Sequence, residues 1–105
     1  MDAQQRFEPL PSVTIGAVVV PVYLEPGDEL HGWYSSMPEQ SIHICQQEES
    51  SLYRTVLHEA LHAVADLYGI GLSERDVQVL ENVLSAFLRD NPALVEKIQE
   101  LGRRA

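Results

Sequence analysis

The sequence predicts an α+β fold, and three observations carry that expectation. Stretches of strand composition fall within the first 45 positions, and apolar residues recur at helical spacing from Leu52 onward. The third observation is size. With 105 residues, 45% hydrophobic and 22% charged, the chain has room for one domain with a modest core and none for a second lobe. The expected architecture is a small, twisted, mostly antiparallel sheet packed on two main helices, followed by a short C-terminal helix.

Residues 1–11 read as a flexible arm, because Pro9 and Pro11 disfavour regular structure there. Strands are expected at Val13 to Ile15 and at Val18 to Leu24, with Pro26-Gly27-Asp28 marking a turn after the second. A segment around Gly32-Trp33-Tyr34 and the alternating Ser41-Ile42-His43-Ile44-Cys45 complete the strand set. The first helix covers Leu52 to Tyr68, where Gly69 and Gly71 end it. Ser73 followed by Asp76 is a capping signature, and it starts a second helix that runs to about Arg89. Asn91-Pro92 opens a third, on which Leu94, Val95, Ile98 and Leu101 recur at helical spacing and are expected to pack on the core.

Within the first helix, His58-Glu59-Ala60-Leu61-His62 reads H-E-x-x-H. At 3.6 residues per turn, positions i and i+4 share a face, so two imidazoles converge on one ion. Glu59 lies beside them, where a carboxylate can act as general base on a water without taking a ligand position. Thr55, His58, Glu59, His62 and Asp66 form one polar stripe, opposite Leu57, Leu61, Val64 and Leu67. A polar stripe on an otherwise apolar helix would be costly to bury unless it lined a site.

A catalytic zinc site takes three protein ligands, so one more must come from elsewhere in the chain. Glu81 is the leading candidate, at the edge of the second helix's apolar side and facing the seam between the two helices. Glu74, two turns earlier, and Asp66, one turn beyond His62, are reserve ligands. Asp66 is ranked as a partner that holds an imidazole by its other nitrogen.

H-E-x-x-H followed by a glutamate on the next helix resembles the gluzincin metallopeptidases, the thermolysin-like branch of the zincins, and residues 58–66, HEALHAVAD, look especially similar. The resemblance implies one zinc ion per chain on His58, His62 and Glu81, with Glu59 as general base and acid. The 18 residues between His62 and Glu81 suit that branch. The metzincin extension is absent, since its histidine and glycine positions hold Tyr68 and Ala65. An aspartate-ligand zincin would require Asp76 or Asp66. Over roughly residues 12–92 the order of elements is similar to very small single-domain zincins, many of them encoded by phages and prophages. In zincins the strand before the active helix forms the upper rim of the cleft. That implies an extended peptide pairing along Ile42, His43 and Ile44. His31, His43, Tyr23, Tyr34, Tyr53 and Tyr68 compete as oxyanion donors, and the sequence does not choose among them.

Net charge is −9, from sixteen acids against seven bases, and no basic patch is visible. Direct nucleic-acid contact is therefore not expected, and neutral or basic peptides suit the chain better. Cys45 is the only cysteine, which rules out an internal disulfide, and a small buried strand residue is its expected role. The longest apolar run is too short to span a bilayer and no secretion signal is apparent, so the expected location is cytoplasmic. Together these readings predict a zinc peptidase acting on a peptide or protein substrate, with room for an activating or regulatory protein partner. The alternative is a metal-holding module without turnover that works through protein contacts, as a phage or mobile-element accessory protein. The tail Gly102-Arg103-Arg104-Ala105 is a candidate strap across an acidic cleft.

Overall fold

A computed structural model describes residues 8–26 and 31–104, in the order β1 (Glu8–Ile15), β2 (Val18–Glu25), β3 (Gly32–Ser35), β4 (Ser41–Cys45), α1 (Glu49–Tyr68), α2 (Glu74–Asp90) and α3 (Pro92–Arg104). The sheet order is β1-β2-β4-β3. The β1/β2 and β3/β4 pairs are antiparallel and the central β2/β4 pair is parallel, so the sheet is mixed and mostly antiparallel, as expected.

Pro9 and Pro11 do not prevent β1 from starting at Glu8, within the segment expected to be an arm. β1 is an edge strand, where missing N–H donors are tolerated, and its register shifts between Leu10 and Val13, around Pro11. Residues 1–7 of that arm, and Gly27 and Asp28 of the expected turn, lie outside the described residues. Gly16 turns the β1/β2 hairpin at φ 62°, and a Cβ there would fall 1.9 Å from the Tyr68 hydroxyl at the end of α1. Only glycine fits both requirements.

One face of the sheet carries the core. Ile15, Val20, Val22, Ile42 and Ile44 meet Ala63 of α1, with Val56, Ala60, Val64 and Leu67 packed around them. The helix side turned to the sheet is therefore centred on Ala63, whereas Leu57 and Leu61 are half-buried outside that cluster. Small residues at 60 and 63 let the helix axis approach the sheet closely.

The opposite face holds His43, stacked between Trp33 at 4.8 Å and Tyr23 at 5.5 Å between ring centroids. His43 Nδ1 lies 2.5 Å from the buried Glu25 carboxylate and its Nε2 lies 2.9 Å from the Ser41 hydroxyl. This arrangement corrects the substrate-strand assignment. β4 is paired on both sides, so Ile42, His43 and Ile44 offer no free edge to a peptide. Ile42 and Ile44 are fully buried, and alternation puts His43 on the face away from α1. The free edge beside α1 belongs to β3, and Cys45 is buried in its strand as expected.

α2 packs on α1, and α3 packs on α2, so α3 is two layers from the sheet. That position overturns the expectation that its apolar side joins the core, because Leu94, Ile98 and Leu101 are all exposed. Gly102 to Arg104 continue α3 as helix in place of the expected strap, and Ala105 lies outside the described residues. No helix among the described residues is long and apolar enough to cross a membrane.

Candidate metal centre

α1 presents His58, Glu59 and His62 toward the start of α2. Glu59 is buried, and the two imidazole rings sit edge to face with centroids 5.2 Å apart. The residue that meets both rings is Glu74. Its Oε1 lies 2.5 Å from His58 Nε2 and its Oε2 lies 2.9 Å from His62 Nε2. One atom from each of His58, His62 and Glu74 falls within 4.8 Å of the others.

Glu81, the leading candidate from the sequence, is not at that shared point. It accepts the His58 Nδ1–H at 2.9 Å and also pairs with Arg54 Nη2 at 2.8 Å and Gln78 Nε2 at 3.3 Å. The register between the helices explains the placement. His62 meets Glu74 and Arg54 meets both Glu81 and Asn82, so α2 runs antiparallel to α1, starting level with His62. Two turns later Glu81 has passed His58 and is level with Arg54, out of reach of His62. From there it holds His58 by the ring nitrogen that faces away from Glu74, the outer role expected of Asp66. Asp66 instead accepts the Tyr34 hydroxyl at 2.9 Å.

The local sequence places Glu74 firmly. Ser73 accepts the Asp76 N–H while the Asp76 carboxylate accepts the Ser73 N–H, a closed capping box that fixes the first turn of α2. Before it, α1 ends at Gly69 with φ 65°, its N–H donating to Ala65 O.

Charge follows the geometry. Burial opposes the imidazolium of His58, but hydrogen bonds to Glu81 and Glu74 outweigh it and raise its pKa above 6.5. Burial likewise acts against the Glu74 carboxylate, and His58 and His62 overcome it, so that its pKa is lowered. For Glu59 burial wins over the two histidines, and its pKa is raised. Burial and the Asp66 carboxylate push the Tyr34 phenol up to about 12, so it remains a neutral donor.

Two adjoining clefts of about 570 and 490 Å³ share Gly32, Glu59 and Glu74 in their walls. His58, Arg54 and Glu81 line one, and His62, Tyr34 and Asp66 the other, so a groove passes Glu59 alongside β3. Of the competing oxyanion donors, Tyr34 lies in the cleft that holds Glu59 and His62, whereas His43 is on the far side of the sheet. Two imidazole nitrogens and a carboxylate oxygen converging beside a buried carboxylate are a donor set that suits zinc. The sequence signalled Glu74 only as a reserve, because a capping box fixes where a helix starts but not its register against a neighbour. No family model matches the chain, and no curated protein or solved structure matches it either.

Proposed function

We propose that this chain is a zinc-dependent peptidase, with the metal held by His58, His62 and Glu74, and with Glu81 orienting His58. The observation that carries this reading is the convergence of both Nε2 atoms on one carboxylate, next to a buried Glu59 in an open groove. Zinc in such a site supplies a Lewis acid that polarises a carbonyl and lowers the pKa of water toward 7. Glu59, its pKa already raised by burial, takes a proton from the attacking water as the oxygen joins the carbonyl carbon, and passes it to the amine nitrogen as the C–N bond breaks. Tyr34 and His31 both line the groove beside Glu59, and Tyr34 serves the developing oxyanion by turning its single O–H from the Asp66 carboxylate to the substrate oxygen. The substrate extends along the free edge of β3, which borders the groove, and main-chain hydrogen bonds there replace those assigned to β4.

Elemental analysis of purified protein, followed by peptide-library assays, tests the reading. Wild type is expected to hold one zinc per chain, His58→Ala and Glu74→Ala to lose it, and Glu81→Ala to bind it about 10–100-fold more weakly. Glu59→Gln is expected to keep the metal and lose turnover. Absence of zinc from the supplied wild type would refute the reading. Loss of zinc in Glu81→Ala alone would return the third ligand to Glu81.

A further inference from the structure

α2 and α3 expose seven large apolar side chains, and six of them, all but Leu88, form two stripes that serve neither the core nor the metal centre. Val79, Val83 and Phe87 recur at every fourth position of α2 and are 49%, 57% and 43% exposed. Leu94, Ile98 and Leu101 follow on α3 at 47%, 60% and 56%. At about 100° per residue each set stays within a quarter of its helix circumference, so these are continuous faces and not scattered residues. The stripes supply the apolar centre of an interface, and a polar rim around them would complete the ~800 Å² per partner of a standard one. Glu74, Gln78 and Glu81, which line the cleft, fall on roughly the opposite side of α2.

α3 sharpens the case. It has 13 residues and packs chiefly on α2, with Asn91 alone between the two helices. At that length a helix in water is marginal unless its apolar face is covered. The molecule is correspondingly extended, 43 × 29 × 27 Å with a radius of gyration of 14.7 Å, against about 13 Å for a compact chain of this size.

Charge favours a second copy of the chain over a basic partner as the cover for this face. Residues 74–105 carry five bases against six acids, a net of −1, while residues 1–73 carry two bases against ten acids and hold the remaining −8. A strongly basic partner would be drawn to the −8 part. Two copies of this chain, by contrast, can meet through their near-neutral helical hairpins with the acidic parts held apart. We propose that the chain forms a two-fold dimer in which the apolar stripes of α2 and α3 from each copy cover one another as a four-helix layer, leaving both metal clefts open.

Sedimentation of the full chain over about 1–200 μM tests this without reference to zinc or turnover. The wild type is expected at twice the 11.8 kDa of one chain. Val83→Glu and Ile98→Glu, both at exposed positions, are each expected to weaken association at least tenfold, with far-UV circular dichroism and metal content unchanged. A wild type that stays at 11.8 kDa across the range would overturn the proposal, even if another protein were later found on this face. So would a dimer indifferent to both substitutions. If Ile98→Glu melts α3, the Val83→Glu variant on α2 decides.

Discussion

Glu74 and Glu81 are the same residue type seven positions apart on one helix, yet they meet opposite nitrogens of the same imidazole. Their separation gives the metal-free protein a distinctive pH response. The raised pKa of His58 contributes stability that is complete below its unfolded value near 6.5 and is lost as pH rises through the folded value. Glu59 acts in the same direction. Its raised pKa means the fold favours the protonated carboxyl, so stability falls as pH climbs from 4.5 through the folded value. The lowered pKa of Glu74 contributes stability that is present above 4.5 and is lost only as pH falls through the depressed value. Chelated protein is therefore expected to melt at a lower temperature at pH 8 than at pH 6. On the proposed reading zinc reverses the sign, because metal displaces the imidazole protons and binds more tightly as pH rises. Paired melting curves with chelator and with zinc check both directions. A chelated protein whose melting temperature rises with pH would contradict the His58 environment described here. At this scale His58, Glu59 and His62 were legible from spacing alone, since i and i+4 leave no freedom. The contacts of Glu74, Glu81 and Asp66 were not, because each depends on which residue of a neighbouring element stands opposite.

Elements were legible where local chemistry decides them. α2 begins after Ser73 because Ser73 and Asp76 satisfy each other's backbone donors, and α3 begins at Pro92 as its sequence requires. The strand at Ser41–Cys45 was legible by alternation, but its place inside the sheet was not, since strand order is a long-range property. β3 shows the same limit. It is four residues long, and its position depends on Gly32, where a Cβ would stand 2.6 Å from the His43 carbonyl oxygen and 3.2 Å from Thr55 Cγ2. No larger residue would let the edge strand lie this close to both β4 and α1. The capping box joins element to site, because Glu74 directly follows Ser73. Ser73→Ala is expected to cost about 1 kcal/mol of stability, and to weaken zinc binding several-fold by loosening the turn that carries Glu74. Thermal melts measure the first effect and competition with a chelating dye the second. A stability loss with unchanged affinity would mean that Glu74 is held independently of its cap.

For the whole molecule, size and composition were enough to predict the α+β class, and among the described residues the candidate chemistry gathers in the groove between α1, α2 and β3. Where α3 packs was not legible, because its periodic apolar face says that something covers it but not what. The same chain-level view gives the antiparallel α1/α2 pair a further meaning. Every residue assigned to hold or orient the metal lies between His58 and Glu81, on two helices joined by the five residues Gly69 to Ser73, and the sheet contributes none. Closing so short a loop costs less chain entropy than closing the longer connection from Pro26 to Gln40 that the parallel β2/β4 seam requires. A metal captured by this hairpin would thus act in the folding nucleus, before the sheet exists. Zinc in the refolding buffer is expected to raise the refolding rate severalfold as well as slow unfolding, and a chevron measured with and without the ion separates the two limbs.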